Sequence, residues 1–181
     1  HILQGHVVGF LAGPPCNNTW SRARHHVIDG VRGPRVVRTP SEPWGMESLS
    51  LKELQHVSIG NLLLGFALVC ISALAMRSGT GLVEHPKDPE RDEMVSIWRL
   101  PVLRAILQLP NVRLIHLAQG LFGAPSAKPT TLMVLGMSQL EKFLHANRVT
   151  QEIPTGASVG KDQHGQFKTS PLKEYPPPMC M

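Results

Sequence analysis

A long apolar segment near the middle of the sequence constrains the fold more than any other feature. Residues 50–77 have the length and periodicity of an α-helix, and Ser50 followed three positions later by Glu53 predicts a capping box at its start. Gly79 and Gly81 are expected to end the helix. Because the second half of the segment has almost no polar face, the helix should either be buried in a core or span a membrane.

Two interpretations of this helix differ in the class of protein they imply. Residues 57–76 match the ~20 residues that a bilayer requires, so a protein anchored by a single membrane span is one alternative. The same segment holds several small or polar residues, namely Ser58, Gly60, Asn61, Gly65 and Ser72. A strand-like segment also follows it at once. A helix packed between a parallel sheet and other elements accounts for both facts, and we predict that arrangement.

Short apolar runs flank the helix on both sides. Residues 7–12 begin with β-branched side chains and stop at a Gly-Pro-Pro turn, which predicts a buried strand with a rigid end. Residues 81–86 predict a second strand. A strand, a helix and a strand form a βαβ unit with parallel strands and a right-handed crossover. Cys16 and Glu84 should therefore emerge at the same edge of the sheet, where ligands of open α/β sheets bind.

The following segment predicts smaller elements. Residues 96–109 carry an apolar face at helical spacing, with Pro101 near the first turn, where proline is tolerated. Residues 112–117 and 130–135 predict two strands that could form an antiparallel hairpin, and residues 138–147 predict a short helix. We therefore expect an α/β protein.

The end of the chain has a different composition. After Thr150 the sequence is polar and rich in Gly and Pro, with one helical turn expected over residues 168–175 and ended by the three prolines at 176–178. The predicted organisation is an α/β domain over residues 1–150 and an irregular tail over residues 151–181.

Charge and cysteine usage favour a nucleic-acid partner and a reducing compartment. The 181 residues carry a net charge of +5, which suits a polyanion. Much of that charge comes early, and the arginines of the loop over residues 30–47 could meet phosphates; the early basic residues are Arg22, Arg24, Arg32, Arg35 and Arg38. The three cysteines are widely spaced and show no metal-binding pattern, which predicts free thiols, no metal site and a nuclear or cytoplasmic rather than secreted protein.

The segment that follows the first strand resembles the catalytic loop of the DNA (cytosine-5) methyltransferases. The matching residues are Gly13, Pro14, Pro15, Cys16, Trp20 and Ser21. The family usually has the aromatic residue and the serine one position nearer the cysteine, so Asn17-Asn18 resembles a one-residue insertion. The resemblance implies that Cys16 is the nucleophile, and it implies substrate contacts from a set made up of Pro14, Pro15, Ser21, Arg22 and Arg24.

Two further segments extend the resemblance. In the family a glutamate at a strand end, followed by asparagine, lies near N3 of the target base; Glu84 matches it, with His85 where the asparagine usually stands. Phage-type relatives have a glutamine, an aromatic-glycine loop, a basic residue and a threonine, matched here by Gln119, Phe122-Gly123, Lys128 and Thr130. Gln119 and Lys128 would then contact substrate. The C-terminal segment also resembles the tail of dinoflagellate-type relatives.

The resemblance implies a partial Rossmann-like methyltransferase sheet, DNA as partner and S-adenosylmethionine as cofactor. The family binds that cofactor through a Gly-rich turn ahead of the catalytic loop, yet only fifteen residues precede Cys16 and the chain begins with His. We therefore expect the catalytic half of a longer parent, inactive without the missing N-terminal portion. The alternative is an inactive, transposon-like or degenerate fragment with a basic nucleic-acid-binding surface.

Overall fold

The computed structural model describes residues 1–16, 20, 27–28, 31–32, 35–154 and 176–180. The strands are β1 Gly9–Ala12, β2 Val27–Ile28, β3 Val31–Arg32, β4 Thr80–Pro86, β5 Val112–Ala118 and β6 Pro129–Leu135. The α-helices are α1 Leu51–Ala75, α2 Pro101–Ile106, α3 Leu140–Ala146 and α4 Pro177–Cys180, with 3-10 turns at Ile97–Arg99 and Gln119–Phe122. These elements form a mixed α/β fold, as the sequence predicted.

A four-stranded mixed sheet in the order β1-β4-β6-β5 organises the molecule, and β2 pairs with β3 separately. Strand β1 runs parallel to β4, while β6 runs antiparallel to both of its neighbours. The βαβ unit and the β5–β6 hairpin are therefore confirmed. Strand β6 is enclosed by two partners and by side chains on both faces, which accounts for its nearly continuous apolar sequence.

The first strand is shorter and more exposed than expected. Among the described strands β1 pairs only with β4, so it lies at the edge of the sheet. Phe10 and Ala12 pack towards α1, whereas Leu11 on the other face is 71% exposed. The prediction of a buried strand was wrong because alternation along an edge strand leaves one face uncovered when no helix lies over it.

The predicted capping box at the start of α1 is confirmed. The Ser50 hydroxyl accepts from the Glu53 backbone N–H at 3.4 Å, and the Glu53 carboxylate accepts from the Ser50 backbone N–H at 2.9 Å. Each side chain thus satisfies a backbone donor at the start of α1. The cap fixes where the helix begins, nineteen residues after the last described residue of β3.

The other end of α1 differs from the prediction. Ser78 adopts the left-handed conformation, with φ of 52°, whereas neither Gly79 nor Gly81 does. These glycines serve close packing instead. A Cβ atom on Gly79 would lie 2.5 Å from the Leu74 side chain, and one on Gly81 would collide with Ile71. The absence of side chains at these two positions lets α1 lie directly against β4.

Only one face of α1 is buried. That face packs on the sheet and on the segment around α2, in a core cluster that includes Leu64, Leu68, Ile71, Val83, Ile97, Leu103 and Met133. The opposite face is exposed, so the expectation of burial all round was wrong. Helix α1 is the one described helix that is long and apolar enough to cross a membrane, with mean hydropathy of 2.2 and 44% of its most apolar stretch buried.

The helix predicted over residues 96–109 is interrupted. A 3-10 turn covers Ile97–Arg99, and α2 begins only at Pro101. Leu100 between them is extended, with φ of −64° and ψ of 135°. The proline disfavours helical geometry at the preceding residue, and its own ring suits the first position of a new helix.

The face of the sheet opposite α1 carries a second core cluster. It is formed by the 3-10 turn at Gln119–Phe122, by α3 and by strand residues such as Ile115, Leu132 and Val134, and Met179 packs against it. The predicted short helix is thus confirmed as α3. Helix α4 starts at the second of the three prolines at 176–178, since proline fits a first helical position. The turn expected over residues 168–175 lies outside the described residues.

Candidate active site

Glu84 lies near the carboxyl end of β4 and is buried, with 8% of its surface exposed. The Gln119 side-chain amide, at the end of β5, donates to Glu84 Oε1 at 3.4 Å and to Thr130 Oγ1 at 3.0 Å. Thr130 belongs to β6, which separates the other two strands. Strands β4 and β6 and the turn that follows β5 thus contribute one polar group each at the same end of the sheet. The sequence did not predict that Gln119 would bind Glu84.

Cys16 reaches this group from the loop that follows β1. Ala12 pairs with Val83, so the chain leaves β1 beside Glu84. Burial and the Glu84 carboxylate raise the pKa of the Cys16 thiol, while Lys128 acts in the opposite direction. Cys16, Glu84 and Lys128 are therefore within electrostatic reach of one another, and the expectation that the first two emerge at one edge of the sheet is met.

Lys128 occupies a strained backbone position directly before Pro129. Its φ is 36°, in the left-handed region that residues with a side chain seldom adopt. Its carbonyl accepts from the Thr130 hydroxyl at 3.0 Å and from the Gln119 backbone N–H at 3.3 Å. Such strain persists where surrounding bonds impose it, and it is frequent at functional sites. Here Gln119, which donates to Glu84, also donates to the Lys128 carbonyl.

Trp20, the aromatic residue that follows Cys16 in the sequence, is buried and packs against Arg38. The Arg38 guanidinium lies 3.7 Å from the centroid of the Trp20 ring. Arg38 also donates to Asn61 Oδ1 of α1 and to the Pro43 carbonyl, each at 2.8 Å. The prediction that this arginine meets phosphates was wrong, because stacking and hydrogen bonds bury it.

The remaining predicted substrate contacts fall into different surroundings. Pro14 is buried and Pro15 is exposed beside Cys16. Arg35 is half-exposed and forms an ion pair with Glu53 at 3.2 Å, so it is not a simple surface cation. Ser21, Arg22 and Arg24 lie outside the described residues.

His85, the residue that departs from the family pattern, faces away from Glu84 because successive strand residues point to opposite sides. Its ring packs edge-on against Trp98, with centroids 6.3 Å apart. Burial lowers the pKa of His85 to about 3, and its Nε2 has no hydrogen-bond partner among the described residues. It is a neutral core histidine, and strand alternation in the sequence was sufficient to place it away from the site.

The site offers a partly buried thiol, a buried carboxyl group and a cation, which are the components for nucleophilic addition with proton transfer. An apolar cavity of about 500 Å³ lies elsewhere, and neither Cys16 nor Glu84 lines it. No three His, Cys, Asp or Glu side chains in the described ranges form a group that could hold a metal.

No family model matches the chain, and no curated protein and no solved structure matches it either.

Proposed function

We propose that the chain is the catalytic half of a DNA (cytosine-5) methyltransferase-like protein with a Rossmann-like sheet. The observation that carries the proposal is the meeting of Cys16 and Glu84 beyond two adjacent parallel strands. The two residues derive from separate motifs of the resemblance, one on each side of α1. Their convergence is what a shared substrate would require.

In the proposed reaction the Cys16 thiolate adds to C6 of cytosine and forms a C–S bond. The displaced electron pair moves through the ring, and N3 takes a proton from the Glu84 carboxyl group. C5 then has enamine character and can accept an electrophile. Solvent water then takes the proton from C5, the C5–H electron pair forms the C5–C6 double bond and expels the Cys16 thiolate, and the N3 proton returns to Glu84, which restores the aromatic base.

The surrounding residues support a DNA substrate in this scheme. Gln119 donates to the Glu84 carboxyl group, and Lys128 contributes positive charge near Cys16, which would favour the phosphates of an extruded nucleotide. The net charge of +5 favours approach of a polyanion.

S-adenosylmethionine does not fit the residues that the structure describes. Doubly-wound α/β folds bind a nucleoside cofactor at a turn with two closely spaced glycines, between a strand and the α-helix that follows it. None of the described strands of this chain is followed by such a turn and an α-helix. No step of the proposal passes through the cofactor. We expect no tight stoichiometric binding in a calorimetric titration of this chain with S-adenosylmethionine, and such binding would contradict this part of the proposal.

Hydrogen exchange at C5 of cytosine tests the addition step without a methyl donor. Reversible addition of Cys16 in D₂O replaces the C5 proton by deuterium, which mass spectrometry of the recovered oligonucleotides detects. Oligonucleotides of many sequence contexts, single-stranded and duplex, should be compared. The wild-type chain should exchange, and Cys16→Ser and Glu84→Gln should not.

Matched variants are Cys70→Ser, at a buried thiol of α1, and Glu141→Gln, at an exposed carboxylate of α3. Both should keep the exchange. If the wild-type chain shows no exchange at C5, an inactive fragment that binds nucleic acid becomes the better account. In that case Cys16→Ser should bind DNA with the same affinity as the wild type.

A further inference from the structure

An extensive apolar surface on α1 has no covering element among the described residues. Its main side chains follow one stripe of the helix and of its C-cap residue Met76, and they are spaced at four, three and seven residues. Each is more than half exposed: Leu62, Phe66, Val69 and Met76. Large apolar patches on a folded protein mark contacts with other molecules. This stripe, together with its flanking residues Ile59 and Leu63, is called the α1 outer face below.

The N-terminal segment extends the α1 outer face sideways. An apolar cavity of about 500 Å³ lies between that segment, β1 and α1, and its lining includes Ile2, Leu3, Val7, Phe10 and Phe66. Phe10 packs edge-on against Phe66, with ring centroids 6.0 Å apart. The exposed apolar surface is therefore continuous from the helix to the edge of the sheet.

Charges around the α1 outer face have one sign. Lys52 stands at the start of α1 and Arg77 just beyond its end, and both are exposed. Between Glu53 and Arg77 the sequence has no Asp, Glu, Lys or Arg. Glu53 itself is engaged by Arg35 and by the helix cap, so it does not offset the two cations at the ends of the stripe.

These charges discriminate between occupants of the surface. A second copy packed on α1 would bring cations together at the ends of the helices, whether the two helices ran parallel or antiparallel. An anionic lipid surface offers hydrocarbon to the stripe and negative headgroups to Lys52 and Arg77 at the same time. We propose that the α1 outer face docks on anionic membrane surfaces, with α1 still packed on the sheet rather than crossing the bilayer.

Vesicle binding tests this proposal. The full chain should sediment with vesicles of phosphatidylcholine that contain about one-third phosphatidylserine, and much less with phosphatidylcholine alone. Leu62→Ser and Phe66→Ser should each lower the partition coefficient about tenfold. Lys52→Gln and Arg77→Gln should each lower it about fivefold, in the anionic vesicles only.

Control changes belong on α3, which packs on the opposite face of the sheet. Phe143→Ser and Lys142→Gln alter exposed residues of the same kinds there and should leave binding unchanged. Equal binding to neutral and anionic vesicles, or no binding at all, would overturn the proposal. So would a stable dimer in analytical ultracentrifugation that Leu62→Ser dissociates, since the α1 outer face would then be an interface between copies. A protein released from vesicles only by detergent, and not by high salt, would indicate a membrane span instead.

Discussion

The Gln119 amide donates a hydrogen bond to the Glu84 carboxylate across the width of β6, at 3.4 Å, and both side chains are buried. The same amide also donates to Thr130 of β6 at 3.0 Å, so the residue that follows β5 is bonded to both β4 and β6. Glu84 thus accepts from an amide that is itself anchored on a neighbouring strand. A carboxyl group fixed in this way can present a constant direction for proton transfer to a neighbouring substrate.

Replacing Gln119 by leucine should destabilise the fold. The change leaves the buried Glu84 carboxyl group without the amide that donates to it, and losing such a partner costs about 1–3 kcal/mol. Urea unfolding followed by circular dichroism measures the loss. Gln139→Leu, at an exposed position beside α3, should change the unfolding free energy by less than about 0.5 kcal/mol. Equal effects of the two changes would show that the Gln119–Glu84 bond contributes nothing.

The reactivity of Cys16 should respond with opposite signs to two charge changes. Because the Glu84 carboxylate raises the pKa of the thiol and Lys128 lowers it, Glu84→Gln should shift the pH profile of Cys16 alkylation to lower pH. Lys128→Gln should shift it to higher pH. Mass spectrometry of the Cys16 peptide after iodoacetamide treatment gives the profile. An unchanged profile in both variants would mean that burial alone sets the pKa.

His85 should make stability depend on pH on the acid side of neutrality. Its pKa is about 3 in the folded state and near 6.5 when unfolded, so the unfolded chain binds one more proton between these values. The stabilising contribution of the neutral ring is therefore complete above pH 6.5 and falls away towards pH 3, by at most about 1.4 kcal/mol per pH unit. Urea unfolding at several pH values measures the slope.

The control for this pH dependence is an exposed histidine. His85→Gln should flatten the slope, whereas His145→Gln on α3 should leave it as in the wild type. An unchanged slope in His85→Gln would show that carboxylates elsewhere dominate acid unfolding.

Arg38 should be far more important to stability than Arg35. Arg38→Met removes the stacking on Trp20 and the donors to Asn61 and Pro43, and leaving buried acceptors unpaired costs about 1–3 kcal/mol each. Arg35→Met removes a half-exposed ion pair worth about 1 kcal/mol or less. Thermal unfolding of the two variants compares them. Similar melting temperatures would contradict the structural role of Arg38.

The sequence predicted the elements whose signals are local or strongly periodic. The capping box at Ser50 depends on two residues three positions apart, and it was placed correctly. The parallel pairing of β1 with β4 followed from the helix between them, because a crossover of that kind leaves few other topologies. The same topology predicted that Cys16 and Glu84 emerge at one edge of the sheet, but it did not predict the distance between them.

The features that sequence reasoning missed depend on what lies nearby in space. Arg38 looks like a solvated loop cation until Trp20 and Asn61 are placed around it. The exposure of Leu11 depends on which strand lies at the edge of the sheet, and a single strand's pattern carries no such information. The link from Gln119 to Glu84 joins residues 35 positions apart on strands that are not neighbours.

The parallel pairing of Gly9 with Thr80 has a consequence for synthesis of the chain. The first strand leaves the ribosome about 70 residues ahead of its partner, an interval of roughly 4–14 s at ordinary translation rates. Until then its backbone donors and acceptors can only bind water or a chaperone. The loop that carries Cys16 therefore gains its final position after α1 and β4 have been made, and a pause in translation within α1 would prolong the time for which the thiol is open to oxidation.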